Sequence, residues 1–306
     1  MLPKKEWKKD WIRVEALEKG WSSDRKYQVF TKSGEQLLLR LSAPEQIEAK
    51  KKEFGIIRKF AGAGFSLSQP LDLWQSGDGS VCMLLRWVEG EDLEAVLPGF
   101  SEEEQYRLGR EAGGILKKIH SIPLEAQDVP AQSKKAKKLR QLDRYEASEN
   151  LRIAGDEPIL RFIRENIEQI WQERPAYLHG DFHPGNLICQ PDGSIGVIDF
   201  NRWEAGDPYE EFYKLQSFGR EISIPYSCGQ LDAYFGDTVP EAFWRAQAVY
   251  VAHASLYSIK WAEPFGTAEI EGMVRRCRMA MEDYDGFRRL IPAWYTERFR
   301  RGSGVL

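Results

Sequence analysis

The chain contains 306 residues, with 42% hydrophobic side chains and a net charge of −4. This length allows a sizeable core in about two lobes, whereas so mild a charge excludes bulk electrostatic attraction to nucleic acid or to a membrane surface. The charged start MLPKKEWKKDWIRVEAL has no apolar signal stretch, no run reaches the length of a membrane span, and the four cysteines form no C-x-x-C pair, so we expect a reduced, cytoplasmic protein, either monomer or dimer.

The first part of the chain predicts strands with one helix among them. KYQVF and QLLLRLS are β-rich runs, and the TKSGE between them fits a hairpin turn. The next stretch, SAPEQIEAKKKEFGIIRKFAGAGF, has apolar residues at helical spacing and ends on glycines. Two further strands, LSQPLDLWQ and VCMLLRWV, follow it. The sequence therefore predicts a small antiparallel sheet with one helix packed across it.

The remainder of the chain is mainly helical in pattern. SEEEQYRLGREAGGILKKIHSI has a serine cap, an acidic first turn and a basic last turn, which suit the helix dipole. Further helical patterns occur near residues 134–148, 157–173, 208–220, 240–262 and 267–287. The prediction is an α+β chain with an amino-terminal sheet lobe, residues 1–87, and a helical carboxy-terminal lobe, residues 88–306.

The stretch YLHGDFHPGNLICQPDGSIGVIDF interrupts the helices with polar, glycine-punctuated sequence. Its spacing His179-x-Asp181-x-x-x-x-Asn186 is that of the catalytic loop of eukaryotic-type kinases, and Asp199 follows an apolar strand. Phosphoryl transfer depends on positioning and charge neutralisation, with one carboxylate near the acceptor hydroxyl to take its proton, and we assign that role to Asp181.

Magnesium prefers oxygen ligands. An amide oxygen from Asn186 and a carboxylate from Asp199 meet this preference, because a Pro-Asp-Gly turn joins their two strands and brings the facing ends together. The sequence therefore predicts a Mg²⁺ site at the open end of this hairpin.

Two other interpretations of the stretch stay open. In the first, its polar side chains only form hydrogen bonds with backbone groups of the same turn. In the second, His179, Asp181 and His183 bind a catalytic metal, although Pro184 and Gly185 make this segment a loop rather than a metal-binding helix. We interpret His179 as a buried support of the loop, and His183 as either a packing residue or a neighbour of the substrate.

The residues HGDFHPGNL…GVIDF…GDP resemble the aminoglycoside phosphotransferase family, which includes macrolide phosphotransferases and choline kinase. The resemblance is strongest over residues 177–212, and the order of sheet lobe and helical lobe extends it over nearly the whole chain. It implies a bilobal protein-kinase-like fold and a phosphoryl donor, ATP or GTP, with Asp181 at the catalytic base position. Asn186 and Asp199 match the Mg²⁺ positions, and Asp207 matches a structural position.

Two departures from protein kinases favour a small-molecule kinase. Gly180 stands where the arginine of a phosphorylation-regulated kinase would lie, and Asn201 replaces the glycine after the Asp-Phe pair. No A-P-E motif follows Phe200. These features indicate a constitutively formed kinase that phosphorylates a small molecule.

The nucleotide-binding half lacks G-x-G-x-x-G. By resemblance, the short KGWSSDRKY loop offers backbone N–H groups of Ser22 and Ser23 to phosphates, although an ordinary hairpin turn is an equal alternative. The resemblance places the phosphate-holding lysine of the family at Arg40, on the same strand face as Leu38, with Lys26 on the neighbouring strand as the alternative.

Two further nucleotide-site predictions come from the same lobe. Glu53, on the predicted helix, is the candidate ion-pair partner of Arg40, with an exposed helix carboxylate as the alternative. LLRWVEGEDL resembles the family hinge, whose backbone around Arg86 and Val88 is expected to hydrogen-bond the nucleobase.

The acceptor is expected to bind the helical lobe. Residues 201–306 are rich in aromatic side chains, which in helices are usually core but also stack on bulky or cationic acceptors. A polycationic acceptor favours an acidic cleft, and the overall charge there is nearly balanced, so such a patch depends on local carboxylates. The candidates are Glu204, Glu210, Glu211, Glu282, Asp283 and Asp285.

Together these features predict an O-phosphotransferase that moves the γ-phosphoryl group of ATP or GTP to a small-molecule alcohol on an antibiotic, aminoglycoside-like or macrolide-like. The alternatives are a metabolic kinase for an amino alcohol, sugar or hydroxy amino acid, and a nucleotide-binding pseudo-kinase.

Overall fold

The structure, a computed structural model, describes residues 8–17, 24–236 and 238–295. They form two compact units. The first contains the described residues up to Asp92 together with Asn186–Trp203, and the second contains Leu93–Gly185 with the described residues from Glu204 onward. The later segment belongs to the first unit because its strands pair with strands of that unit.

The secondary structure within the described residues is α+β, as predicted. The strands are β1 (Trp11–Leu17), β2 (Arg25–Thr31), β3 (Gln36–Ser42), β4 (Ser66–Leu67), β5 (Pro70–Gln75), β6 (Val81–Arg86), β7 (Glu91–Asp92), β8 (Ala176–Leu178), β9 (Leu187–Cys189), β10 (Ile195–Val197) and β11 (Glu204–Gly206). The helices are α1 (Ile47–Ala61), α2 (Leu93–Val96), α3 (Glu102–His120), α4 (Lys135–Glu146), α5 (Glu157–Asn166), α6 (Arg220–Ile222), α7 (Ile224–Phe235), α8 (Glu241–Trp261) and α9 (Thr267–Asp283). None of these helices is long and apolar enough to cross a membrane.

The first unit contains a five-stranded antiparallel sheet in the order β1-β2-β3-β6-β5. Successive side chains of a strand point to opposite faces, and in β3 this alternation sends Leu37, Leu39 and Leu41 into a hydrophobic core shared with β1, β2 and β6. Leu38 and Arg40 lie on the other face, as predicted. In register, Leu38 pairs with Gln28 and Arg40 pairs with Lys26.

A second sheet of the first unit carries the predicted hairpin. Its order is β4-β10-β9-β7, with β10 parallel to β4 and antiparallel to β9. The turn between β9 and β10 closes through Gln190 and Ser194, whose backbones are hydrogen-bonded at 2.9 Å, and through Asp192, which accepts from the Ser194 amide. The Pro-Asp-Gly turn is therefore confirmed.

The second unit is built around the packed pair α3 and α7. The serine cap predicted from the sequence is present at Ser101, where it forms a capping box with Glu104. The two helices approach so closely that a Cβ added at Gly109 would lie 2.1 Å from the Tyr226 carbonyl oxygen, and one at Gly229 would lie 2.3 Å from that of Tyr106. Glycine at 109 and 229 is thus required by the packing of these two helices.

Two helical segments differ from the prediction. The chain over 208–220 forms a 3₁₀ turn, Pro208–Phe212, which the Asp207 carboxylate caps through the Tyr209 amide, and a π turn, Leu215–Gly219. Helix α7 has no periodic polar face to reveal it, since eight of its residues are buried.

Aromatic side chains supply part of the interior of the second unit. The ring of Phe243 meets those of Tyr209 at 5.2 Å and Phe212 at 5.3 Å, both edge to face. Such pairs add favourable quadrupole interactions to their burial. These aromatic residues therefore belong to the hydrophobic core, which is the usual location of aromatic residues in helices.

Candidate active site

The hairpin places the two predicted metal ligands at one end. Asn186 immediately precedes β9, and Asp199 lies two residues beyond the end of β10. Val197 pairs with Leu187 in register, and the Ile198 amide donates to the Asn186 carbonyl oxygen at 3.1 Å. The backbone of the hairpin therefore holds both residues at its open end.

Asp199 has an unusual backbone and an unsatisfied carboxylate. Its φ of 62° and ψ of 64° lie in the left-handed region, which aspartate tolerates better than most residues but still at some energetic cost. The Lys26 ammonium lies 3.5 Å from Oδ2, whereas Oδ1 is buried and has no hydrogen-bond partner among the described residues. A buried carboxylate oxygen is costly to leave without a partner, so this donor suits a hard cation such as Mg²⁺.

The loop that carries Asp181 is held by buried polar groups. Gly180 has a φ of 81°, a conformation that side chains disfavour and that glycine adopts readily. His179 is fully buried, and its Nδ1 accepts from the Asp181 amide at 3.2 Å. The interpretation of His179 as a buried support of the loop is confirmed.

Glu211 anchors the same loop. Its side chain is buried and accepts from the amides of Gly180 at 2.9 Å and Phe182 at 3.4 Å, while His120 faces it at 3.7 Å. Burial alone would raise the pKa of Glu211, but His120, His179 and the Gly180 amide together hold it below its usual value. Glu211 was a candidate for an acidic substrate patch, and the structure instead makes it an internal support.

Lys214 forms an ion pair with Asp181, although the sequence pattern did not identify it as a residue of the site. Its Nζ lies 2.5 Å from Asp181 Oδ1, and the lysine side chain is only 6% exposed. Burial alone would lower the pKa of Lys214, but Tyr213 and the Asp181 carboxylate raise it above the usual value. The ammonium therefore stays charged at neutral pH and pairs with the carboxylate.

His183 lies beside the same carboxylate. Its Nε2 is 3.8 Å from Asp181 Oδ1, its Nδ1 accepts from the Gly185 amide at 3.2 Å, and its ring stacks on Phe218 at 4.7 Å. His183 is therefore both a packing residue and a neighbour of Asp181. The Phe218 ring also faces the guanidinium of Arg276 at 4.9 Å.

The predicted partnership of Arg40 and Glu53 is present within a larger network. Arg40 Nη1 donates to Glu53 at 2.5 Å, while Nε and Nη2 donate to Asp24 at 3.1 and 2.6 Å. Lys50 bridges the same two carboxylates at 2.8 and 2.9 Å. Asp24, Arg40, Lys50 and Glu53 are called the ion-pair network below. All four are buried, so Glu53 is not an exposed helix carboxylate.

The remaining nucleotide-site predictions have different outcomes. Ser22 and Ser23 lie outside the described residues. In the hinge segment, the Arg86 amide donates to the Gln69 carbonyl oxygen and the Trp87 amide to that of Gln36. Val88 is buried in the same segment.

Asp207 has the buried, structural environment that the resemblance implied. Its carboxylate accepts from the Trp171 amide and the Tyr250 hydroxyl at 2.6 Å, and from the Tyr209 amide at 3.0 Å. Burial raises the pKa of Asp207 despite these bonds. The group therefore orders backbone around the site.

The alternative of a hydrolase metal centre gains no geometric support. No three histidine, cysteine or acidic side chains gather as a metal-binding cluster in the part of the chain that the structure describes. His179 is fully buried, with Nδ1 directed at the backbone, rather than converging with His183 on an open site.

Comparison with known proteins identifies the class. The family model described as phosphotransferase enzyme family matches residues 13–244, which is well over half of the chain. The chain belongs to this family of phosphotransferase enzymes.

Solved structures of similar fold extend the comparison over most of the chain. A variant of aminoglycoside 2′-phosphotransferase IIIa in complex with GDP has a TM-score of 0.73 at 17% identity and covers 90% of this chain and 93% of its own. A putative aminoglycoside phosphotransferase from Ralstonia eutropha JMP134 has a TM-score of 0.69 at 16% identity, covering 90% and 92%. A thermostable aminoglycoside phosphotransferase APH(4)-Ia with ADP and hygromycin B has a TM-score of 0.66 at 16% identity, covering 88% and 93%. At such identities the likeness establishes the fold, and the predicted kinase-like fold is confirmed.

A curated relative aligns with part of the chain. Acyl-CoA dehydrogenase family member 10 from Mus musculus is 26% identical over 195 residues, which cover 60% of this chain. The aligned region is 18% of the length of that relative, so the similarity concerns one portion of a much longer protein.

Proposed function

We propose that this phosphotransferase moves the γ-phosphoryl group of ATP or GTP to the hydroxyl of a small-molecule alcohol. The observation that carries the proposal is the Asp199 carboxylate, which the hairpin holds in a left-handed conformation with one buried oxygen unpartnered among the described residues. Family membership supports the reaction type. Similar solved structures contain GDP or ADP, which supports a nucleoside triphosphate donor of either base.

Asp181 is the proposed catalytic base. Its carboxylate accepts the proton of the acceptor hydroxyl as the oxygen bonds to the γ-phosphorus, while the bond from that phosphorus to the bridging oxygen breaks and nucleoside diphosphate leaves. Lys214 holds the carboxylate in place through the 2.5 Å contact. His183 borders the same oxygen and would meet the acceptor.

Asn186 and Asp199 are the proposed Mg²⁺ ligands. The metal would neutralise phosphate charge during transfer, and a carboxylate with an amide oxygen is an appropriate donor set for it. For the nucleotide, we propose backbone contacts from Ser22 and Ser23 to phosphates and from Arg86–Val88 to the base. Within the latter segment Val88 is favoured, since the amides of Arg86 and Trp87 already donate to carbonyl oxygens.

The charges near Asp181 bear on the acceptor class. Most of the carboxylates considered for an acidic patch already have partners within the protein. Glu204 pairs with Lys134, Glu210 with Lys138, Glu211 with loop amides, Asp283 with Arg220 and, on the surface, Asp285 with Arg288. Asp181 is in direct contact with a cation, Lys214. This distribution is unfavourable to a polycationic aminoglycoside. It supports a neutral or anionic alcohol, such as the sugar within the metabolic-kinase alternative, over an aminoglycoside-like antibiotic.

The proposal is tested by replacing the base. Asp181→Asn should lower turnover by roughly 10²- to 10⁴-fold, the usual contribution of general base catalysis, and should leave Mg-nucleotide affinity within about twofold. The measurement is nucleoside diphosphate release with a panel of cationic, neutral and anionic alcohols. Asp192→Asn, in the exposed hairpin turn, is the control and should retain wild-type turnover.

Two outcomes would contradict the proposal. Undiminished turnover in Asp181→Asn would remove the base assignment. Nucleotide binding by the wild type without turnover on any acceptor would favour the pseudo-kinase alternative. Raised drug tolerance on expression in a sensitive host would return the acceptor to the antibiotic class.

A further inference from the structure

The second face of the five-stranded sheet carries two cations side by side. Lys26 on β2 is paired in register with Arg40 on β3, so both side chains leave the same face of the sheet. Family resemblance assigns the phosphate contact to Arg40. The two cations differ, however, in their hydrogen-bond partners and in the exposure of their side chains, and both properties affect whether a cation can bind a ligand.

Arg40 is committed to the protein itself. Three of its N–H groups are bonded to Asp24 and Glu53, and only 3% of its side chain is exposed. The ion-pair network contains two cations and two carboxylates, so its formal charges cancel. Turning the guanidinium toward a phosphate would break these bonds and leave buried carboxylates short of a partner, which is strongly unfavourable.

Lys26 is placed for a ligand instead. Its ammonium lies 3.5 Å from Asp199 Oδ2, a long contact that is readily exchanged, and 15% of the side chain is exposed. The same carboxylate presents the unpartnered Oδ1 that suits a cation. An anion that enters beside Asp199 together with a metal ion therefore meets the lysine ammonium first, and three N–H donors on one compact charge suit phosphate oxygens.

We propose that Lys26, and not Arg40, is the cation that contacts the phosphates of the nucleotide. In this arrangement Arg40 is a positioning residue that ties α1 to the sheet through Glu53. The phosphate-binding cation thus lies on β2, whereas the family resemblance places it on β3. This inference rests on the proposed phosphotransferase function and adds the identity of the phosphate-binding residue.

Isothermal titration calorimetry with matched ligands separates the two cations. The ligands are Mg-ATP and adenosine, with Mg-GTP and guanosine alongside, because a phosphate contact affects only the nucleotides. The variants are Lys26→Met, Arg40→Lys and Lys32→Met, the last removing an exposed lysine just beyond β2. Melting temperatures of all variants, measured without ligand, report folding.

The expected result is a selective loss in one variant. Lys26→Met should weaken Mg-nucleotide binding roughly 10- to 100-fold, the range of one charge-assisted hydrogen bond, with nucleoside affinity and melting temperature unchanged. Arg40→Lys should melt lower but keep its preference for nucleotide over nucleoside, and Lys32→Met should match the wild type. Unchanged Mg-nucleotide binding in folded Lys26→Met would overturn this inference alone. No nucleotide binding by the wild type would overturn the proposed function and, with it, this inference.

Discussion

At the scale of single residues, the contact between Lys214 and Asp181 gives the candidate site its electrostatic character. A lysine this deeply buried is stable as a cation because of its neighbours, Tyr213 and the Asp181 carboxylate, whose oxygen lies 2.5 Å from the ammonium. The partnership also restricts the rotation of Asp181. A base whose oxygen is held in place has less conformational freedom to lose when the acceptor binds.

Lys214→Met tests this positioning role. Methionine preserves much of the volume but removes the charge, so turnover per folded molecule should fall by about 10- to 100-fold. The melting temperature should also fall, because the largely buried Asp181 carboxylate loses its cationic partner. Lys214→Arg should restore most of the turnover. Steady-state kinetics with calorimetric melting provides both readings, and Lys135→Met, at an exposed pair with Glu168, is the control.

A purely structural role for Lys214 would give a different pattern. In that case the melting temperature of Lys214→Met would still drop, but turnover per folded molecule would stay at the wild-type level.

At the scale of elements, the hairpin and the α3–α7 pair show what sequence patterns can predict. The turn residues and the apolar strands of 187–199 predicted the hairpin and hence the shared end of Asn186 and Asp199, because turn chemistry is local. The helix α7 and the two turns over 208–220 escaped prediction. Burial on most sides of α7, and the contacts of the Asp207 carboxylate with Trp171 and Tyr250, are tertiary effects.

The glycines of α3 provide a prediction with an internal control. Gly109→Ala places a methyl group 2.1 Å from the Tyr226 carbonyl oxygen, so the helices must separate, and we expect a loss of roughly 2 kcal/mol or more in unfolding free energy. Gly114→Ala, on the same helix, meets no heavy atom within 4 Å and should stabilise by about 0.5–1 kcal/mol. Urea denaturation measures both. Equal effects of the two substitutions would contradict the close packing.

At the scale of the whole molecule, pH dependence follows from the buried carboxylates. The pKa of Glu211 is lowered on folding, so its contribution to stability is complete above the usual value of 4.5 and is lost as pH falls through the lower value in the folded protein. Glu211→Gln should therefore melt below the wild type at pH 7, by the equivalent of about 1–3 kcal/mol. The difference should shrink as the pH is lowered below 4.5. Melting curves from pH 7 to pH 3 test this, and a gap that is constant across the range would contradict it.

The general organisation of the molecule was accessible from sequence, while most of its charge pairing was not. Strand alternation placed Arg40 and Leu38 on one face, and helical spacing predicted α1 with Glu53 beside Arg40. The further partners Asp24 and Lys50 required the tertiary approach of β2 and α1 to β3, and the pairing of Lys214 with Asp181 joins residues 33 positions apart. No local pattern marks such pairs, because burial and charge compensation are properties of the folded chain.

The most direct test of the central claim is the thermal shift of the wild type and Asp199→Ala with ATP and GTP, each with and without Mg²⁺. A ligand that binds only the folded state stabilises it by about 2.7 kcal/mol at a hundredfold excess over its Kd. We predict a clear, Mg²⁺-dependent rise in melting temperature for the wild type with at least one nucleotide, and its loss in the folded Asp199→Ala variant. No rise with either nucleotide, or an equal rise in both proteins, would contradict the assignment of Asp199 to a magnesium–nucleotide site.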